Sequence, residues 1–302
     1  MYKHLENIMI HPRNIQLTAL ISLYFCLNLL SGYAQTYEVE KVNFNSSKAD
    51  FGAIRFENGI VFCSSRAEKK LNADIDTENF YTDMYVTKMD AKRSFSSPSL
   101  FSSELTELLN EGPATFTSDY KTVYYSANII PDKPKKEGKN EIEEYKLGIF
   151  VAQFNNGKWE KIGGAHFNAQ HGEYDVAHPI LFGDTIIYFA SNMEGGFGGI
   201  DIYYCKLENG AWSDPYNMGE PINTKGNDLF PFLSKSGDFY FSSDGQERSK
   251  EDVEIYCTRR NEFGEWNQPY ALPYPMNTEF DDMHTQNIRM NNLDSLAATE
   301  MV

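Results

Sequence analysis

The chain has 302 residues and a formal net charge of −16, with a sequence pI of about 4.8. An acidic balance of this size excludes charge-driven binding to nucleic acid or to a bare anionic membrane. Tyrosine (19) and phenylalanine (21) are abundant, which suits half-buried strand faces and turns the reading towards sheets.

At the N-terminus, Leu17 to Leu30 is an apolar run behind Lys3, His11 and Arg13. It ends at Ser31-Gly32-Tyr33-Ala34, where the small residues Gly32 and Ala34 resemble a signal-peptidase site before Gln35. The run is shorter than the about 20 apolar residues that a spanning helix needs. Residues 1–34 therefore read as a cleaved signal peptide, and the remainder as exported to the periplasm or outer membrane, with no span left after cleavage. Cys26 raises lipidation, but Phe25 is a poor neighbour for a lipidated cysteine, which favours the soluble form. Beyond the leader stand Cys63, Cys205 and Cys257. An odd number without CxxC spacing argues against a disulfide framework or a zinc site. All three lie in apolar runs, where cysteine acts as a small buried hydrophobe.

A unit then recurs four times. The first copy pairs Phe51–Phe56 with the run Val61 to Arg66, and the second pairs Pro113–Phe116 with Val123 to Asn128. In the third, Pro179–Phe182 precedes Ile187 to Asn192, and in the fourth Pro231–Ser234 precedes Phe239 to Asp244. A third short strand follows in every copy, at Met84–Val86, Ile149–Val151, Ile202–Tyr204 and Ile255–Cys257. The last three copies add a glycine–tryptophan hairpin: Asn156-Gly157-Lys158-Trp159, Asn209-Gly210-Ala211-Trp212 and Phe263-Gly264-Glu265-Trp266. Asn-Gly between two strands signals a tight two-residue turn. Four short antiparallel strands per unit make a propeller blade, so the fold class is an all-β propeller with four recognisable blades over residues 35–282. Leu71 to Asn79 and the charged Lys133 to Glu144 read as loop insertions.

The third copy runs Pro179, an aromatic strand, Ser191-Asn192, Gly195-Gly196-Phe197-Gly198-Gly199, Asp201-Ile202-Tyr203, Trp212 and Pro221-Ile222-Asn223-Thr224. This pattern resembles the WD40-like, TolB-type propeller repeats of exported Bacteroidetes proteins, which often precede an OmpA-like wall-binding domain. The resemblance covers about residues 50–282 and weakens in the fourth copy, where Gly245-Gln246-Glu247-Arg248 replaces the double-glycine loop. No OmpA-like segment is present, so a wall-binding role does not carry over. After Asp282 the repeat should open a fifth blade, but residues 283–302 lack an aromatic strand. They are expected to be a poorly ordered tail, with a transient helix over Asn292 to Met301 as the alternative. The fifth blade is expected to be missing by truncation, or else the ring closes through a strand at Tyr37 to Val42.

Strand order gathers one loop face. Asp175, His178, Asn192, Asp201, Asn223 and Asp228 are the candidate ligand-binding residues on it, and acids recur at blade entrances at Asp50, Glu111, Asp281 and Asp282. Loops on a rigid scaffold are where binding is usually found. Against this, Asp and Asn at turns bond neighbouring backbone, and glycines supply positive φ. Pro221 to Thr224 reads equally as a buckle between blades. His166, His171 and His178 with Glu173 and Asp175 lack the spacing of a metal site. No metal or other cofactor is expected; calcium on the acidic loops is the alternative, without EF-hand spacing to support it. There is no GxSxG elbow or Walker loop, and catalytic residues are expected to be absent. The expectation is a non-enzymatic binding or scaffold module of the cell envelope that engages a protein, peptide or glycan. The alternative is a propeller hydrolase acting on glycans or peptides. Carboxylate pairs are too common in so acidic a chain to identify a glycosidase from sequence.

Overall fold

The computed structural model describes residues 42–66, 81–92, 94–107, 109–130, 145–169, 172–247, 252–279, 282–290 and 293–300. The leader, the inserted loops at 71–79 and 133–144, and His171 lie outside them.

The described elements are strands, and they form four antiparallel four-stranded blades of a β-propeller. Blade 1 is β1 (Asp50–Phe56), β2 (Gly59–Ser64), β3 (Asp83–Lys88) and β4 (Ser99–Leu100). Blade 2 is β5 (Glu111–Phe116), β6 (Thr122–Asn128), β7 (Leu147–Asn155) and β8 (Lys158–Gly164). Blade 3 is β9 (Val176–Phe182), β10 (Ile186–Ser191) and β11 (Asp201–Glu208), with β12 (Ala211–Trp212) and β13 (Tyr216–Asn217) both pairing with the outer edge of β11. Blade 4 is β14 (Asp228–Leu233), β15 (Asp238–Ser243), β16 (Glu254–Arg259) and β17 (Tyr270–Ala271).

Local chemistry explains the turns. Asn156-Gly157 and Asn209-Gly210 both have positive φ at each residue and join strands in two-residue hairpins, Asn155 facing Lys158 and Glu208 facing Ala211. That is the conformation Asn-Gly adopts with little strain. In blade 4 the Phe263-Gly264 turn is longer. The Asn261 carboxamide oxygen accepts the Phe263 and Glu265 amides and holds it closed.

Every inner strand carries a β-bulge near its start, as shown by register shifts in β1, β5, β9 and β14. The residue within it has positive φ each time: Gly52, Gly112, His178 (56°) and Phe230 (47°). Glycine takes that conformation freely, whereas a side chain there is uncommon.

Aromatic faces fill the spaces between blades. Phe56, Phe101, Phe116 and Trp159 interlock between blades 1 and 2. Phe167 stacks on Phe189 at 4.5 Å between blades 2 and 3, and Tyr188 meets Phe239 at 5.4 Å between blades 3 and 4. Cys63, Cys205 and Cys257 are buried free thiols within these layers. Burial pushes Cys205 up to about 12 and Cys257 up to about 11.

The segment after Thr278 differs from the sequence expectation of an unordered tail or a short helix. It forms an antiparallel hairpin of β18 (Asp282–Met290) and β19 (Leu293–Glu300). β18 packs against β14, β15 and β16 on one side and β1 on the other, so the inner strands contact one another in the cycle β1, β5, β9, β14, β18. Strand pairing satisfies the backbone without an aromatic pattern, and the neighbouring blades supply the surface that the segment itself lacks.

Candidate functional site

The loop face is built by a device repeated at the entrances of blades 1, 2 and 4 and of the β18–β19 hairpin. The carboxylate that opens an inner strand accepts the backbone N–H four residues earlier: Asp50 from Ser46, Glu111 from Glu107, Asp228 from Thr224 and Asp282 from Thr278. In blade 3 the opening position is Val176, and Asp175 stands one residue before it. The recurring acids seen in the sequence are therefore first of all closures of the interblade turns. Asp50 is also paired with Arg66 at 2.8 Å. Although burial works against it, donors from Ser64, Ser46 and Arg66 hold its carboxyl below the usual range.

A second repeated device uses asparagine. Asn223 accepts the Ile202 N–H at 2.9 Å and donates to the Ile202 carbonyl at 2.9 Å. Asn168 grips Ile149, and Asn277 grips Ile255, in the same two-bond manner. Each ties an interblade turn to the third strand of the blade it leaves.

The six sequence candidates fall into three places. Asp175 and Asn192 are together: the Asp175 N–H donates to Asn192 Oδ1 at 2.7 Å, and the Asp175 carboxylate accepts Lys146 Nζ at 3.1 Å and the Leu147 N–H at 2.9 Å. They join blade 2 to blade 3. His178 stands apart on β9, its ring stacked on Phe230 of β14 at 3.7 Å and 12°. Asp201 and Asn223 form one polar group through Asn217, which donates to Asp201 Oδ2 at 2.8 Å and accepts from Asn223 Nδ2 at 2.7 Å, and Asp228 stands on the adjoining turn, bonded to Thr224. Among the described residues, no group of three or more His, Cys, Asp or Glu side chains could hold a metal ion.

Asp201 and Asp228 form the chemically notable pair. Both are buried, at 1% and 0% exposure. Asp228 accepts the Thr224 N–H at 2.6 Å, the Thr224 hydroxyl at 3.1 Å and the Ser243 hydroxyl at 2.6 Å. Burial nevertheless pushes its carboxyl up to about 6, with the Asp201 charge adding to the effect and the Ser243 and Thr224 donors opposing it. Asp201 Oδ2 also accepts the Phe197 N–H of the glycine loop, whereas Oδ1 meets no hydrogen-bond donor among the described residues. The Asp228 N–H donates to the Ile200 carbonyl at 2.7 Å, so the two acids belong to directly joined segments.

Asn217, Phe197 and Ser243 were not among the sequence candidates. Asn217 lies on the short strand β13, and Ser243 lies 15 residues from Asp228, so only the folded pairing brings them in.

No protein-family profile matches the chain. No curated protein matches it. Solved structures do match. An α-L-arabinofuranosidase from Lactobacillus brevis is 11% identical, with a TM-score of 0.50 over 83% of this chain and 81% of that one. This chain shares its fold. A thermostable family-43 glycoside hydrolase is 15% identical, with a TM-score of 0.46 over 83% and 81% of the two chains. A puromycin-hydrolysing peptidase from Mycobacterium tuberculosis is 16% identical, with a TM-score of 0.37 over 74% of this chain, which spans only 30% of it.

The arabinofuranosidase match corrects the expectation of a non-enzymatic binding and scaffold module, because a protein of this same fold is an enzyme. The sequence had no means of separating the two readings. A glycosidase needs two carboxylates set in space, and that requirement leaves no linear motif of the kind a nucleophile elbow or phosphate loop leaves.

Proposed function

We propose that this chain is a propeller hydrolase that cleaves glycosidic bonds, with Asp228 as general acid and Asp201 as the second carboxylate. The observation that carries the reading is the buried Asp228 carboxyl, which burial pushes up to about 6 on a segment hydrogen-bonded to the one that leads into the buried Asp201. Glycoside hydrolysis requires one carboxyl that keeps its proton near neutral pH and one that is ionised. In the reaction, the Asp228 proton passes to the departing glycosidic oxygen as the bond to the anomeric carbon breaks. Water adds to that carbon and loses its proton to Asp201. Both acids are sealed by the Thr224–Asn227 turn and the glycine loop, so substrate has to part these segments to reach them. The arabinofuranosidase of the same fold supports the choice of glycans over peptides. The apolar leader supports placing the enzyme outside the cytoplasm, where its substrates would be cell-surface or extracellular glycans.

The test is release of reducing ends from neutral glycans, arabinan, arabinoxylan and galactan, by the full chain and by Asp228→Asn. The reading expects turnover by the wild type and a loss of about 100-fold or more in the variant, with circular dichroism unchanged. Equal turnover by both proteins overturns the assignment of the acid, and no release from any glycan overturns the hydrolase.

A further inference from the structure

The glycine loop before β11 is shaped around the acid pair, and its form follows from contacts that leave no room for side chains. A Cβ on Gly196 would collide with Asp201 Oδ2. One on Gly198 would strike the backbone of Thr224, Lys225 and Gly226, and one on Gly199 would strike Asn227 Oδ1. The Gly199 N–H donates to the Gly226 carbonyl at 2.8 Å, and Ile200 bridges to Asn227. The loop is thus pressed onto both the Asp201 carboxylate and the turn that closes Asp228. Its only side chain beyond a hydrogen is Phe197, which is 50% exposed while its own N–H is held by Asp201. A large ring is presented to solvent from a backbone amide that Asp201 holds.

We propose that Phe197 is a sugar-stacking platform, a specificity-determining residue that receives a neutral saccharide ring beside the Asp201–Asp228 pair. The inference rests on the hydrolase reading and adds how that site takes its substrate. The face of an aromatic ring carries negative potential and attracts the polarised C–H edges that one side of a saccharide ring displays. Anionic sugars are disfavoured, since Glu194 is exposed three residues before Phe197, Asp201 follows the loop, and the whole chain carries −16.

The experiment compares wild type, Phe197→Ala and Phe197→Trp on neutral arabino- and xylo-oligosaccharides and on the matching nitrophenyl monoglycosides. Phe197→Ala is expected to raise KM for oligosaccharides about tenfold with kcat little affected, lowering the preference for long over short substrates. Phe197→Trp is expected to restore it, and melting temperatures of the three proteins to agree. An unchanged preference in Phe197→Ala overturns the platform and leaves the hydrolase standing. If the wild type cleaves none of the probes, the hydrolase reading fails, and electrophoresis through gels containing soluble arabinoxylan decides the platform separately. Retardation that depends on Phe197 keeps it; absent or Phe197-independent retardation overturns it.

Discussion

Asp228 couples the site to pH. Its carboxyl sits at about 6 in the folded chain, against 3.8 for an unperturbed aspartate, so between these values the folded state binds the extra proton. Stability contributed by this group therefore rises as pH falls from about 6 to about 4, and its ionised form costs up to about 3 kcal/mol above that window. The prediction is a wild-type melting temperature that gains on acidification from pH 7 to pH 5 relative to Asp228→Asn, measured by calorimetry at both values. Parallel behaviour of the two proteins would contradict it. Asn223 makes a different claim. Removing its carboxamide strands the buried N–H of Ile202, while the Ile202 C=O keeps the Met218 N–H, and an unsatisfied buried group costs about 1–3 kcal/mol. Asn223→Ala should lower stability by about 1–3 kcal/mol in denaturant unfolding, while replacement of the exposed Lys225 should have little effect. The types of these residues were legible from the sequence, as acids and amides at turns. Their partners were not, because Asp228 meets Ser243 and Asn223 meets Ile202 only once neighbouring strands have paired.

The glycine loop and the aromatic layers behave as elements. Gly198→Ala places a methyl group against three backbone positions of the Thr224–Gly226 turn, and backbone cannot yield as a flexible side chain can. Hydrogen exchange should then quicken at the Gly199 and Asp228 amides, whose carbonyl partners lie across this junction, and glycan turnover should fall. Gly210→Ala, with nothing within 4 Å of the new Cβ, should leave both measurements near wild type apart from turn strain. The fully buried Phe189, stacked on Phe167, is the corresponding lever between blades 2 and 3. Phe189→Ala should cost about 3–5 kcal/mol, read by urea unfolding. The blades themselves were legible because three aromatic-rich strands and the Asn-Gly turns recur in one order. The hairpin β18–β19 was not, since its residues carry neither that alternation nor those aromatics, and its place is set by the two blades it lies between.

At the scale of the molecule, four blades leave an interval between blade 4 and blade 1 that the hairpin occupies, with β18 against β1 and β14. Removing residues 283–302 should expose both faces, lower the melting temperature steeply and promote association; an unchanged melting temperature would show that the ring holds without the hairpin. Closure matters for chemistry because Asp228 opens β14, the strand on which β18 packs. A rigid ring keeps its carboxyl buried, and burial is the principal cause of its raised proton affinity. The proposed cleavage of glycosidic bonds rests on the buried Asp228 and Asp201. It is tested most directly by following arabino-oligosaccharides by proton NMR with the full chain at pH 5 to 8, beside Asp228→Asn. New reducing-end anomeric signals are expected with the wild type, at a rate that falls as pH rises through about 6, with near-baseline spectra for the variant. Anomeric signals that never appear, or that appear equally with Asp228→Asn, would contradict it.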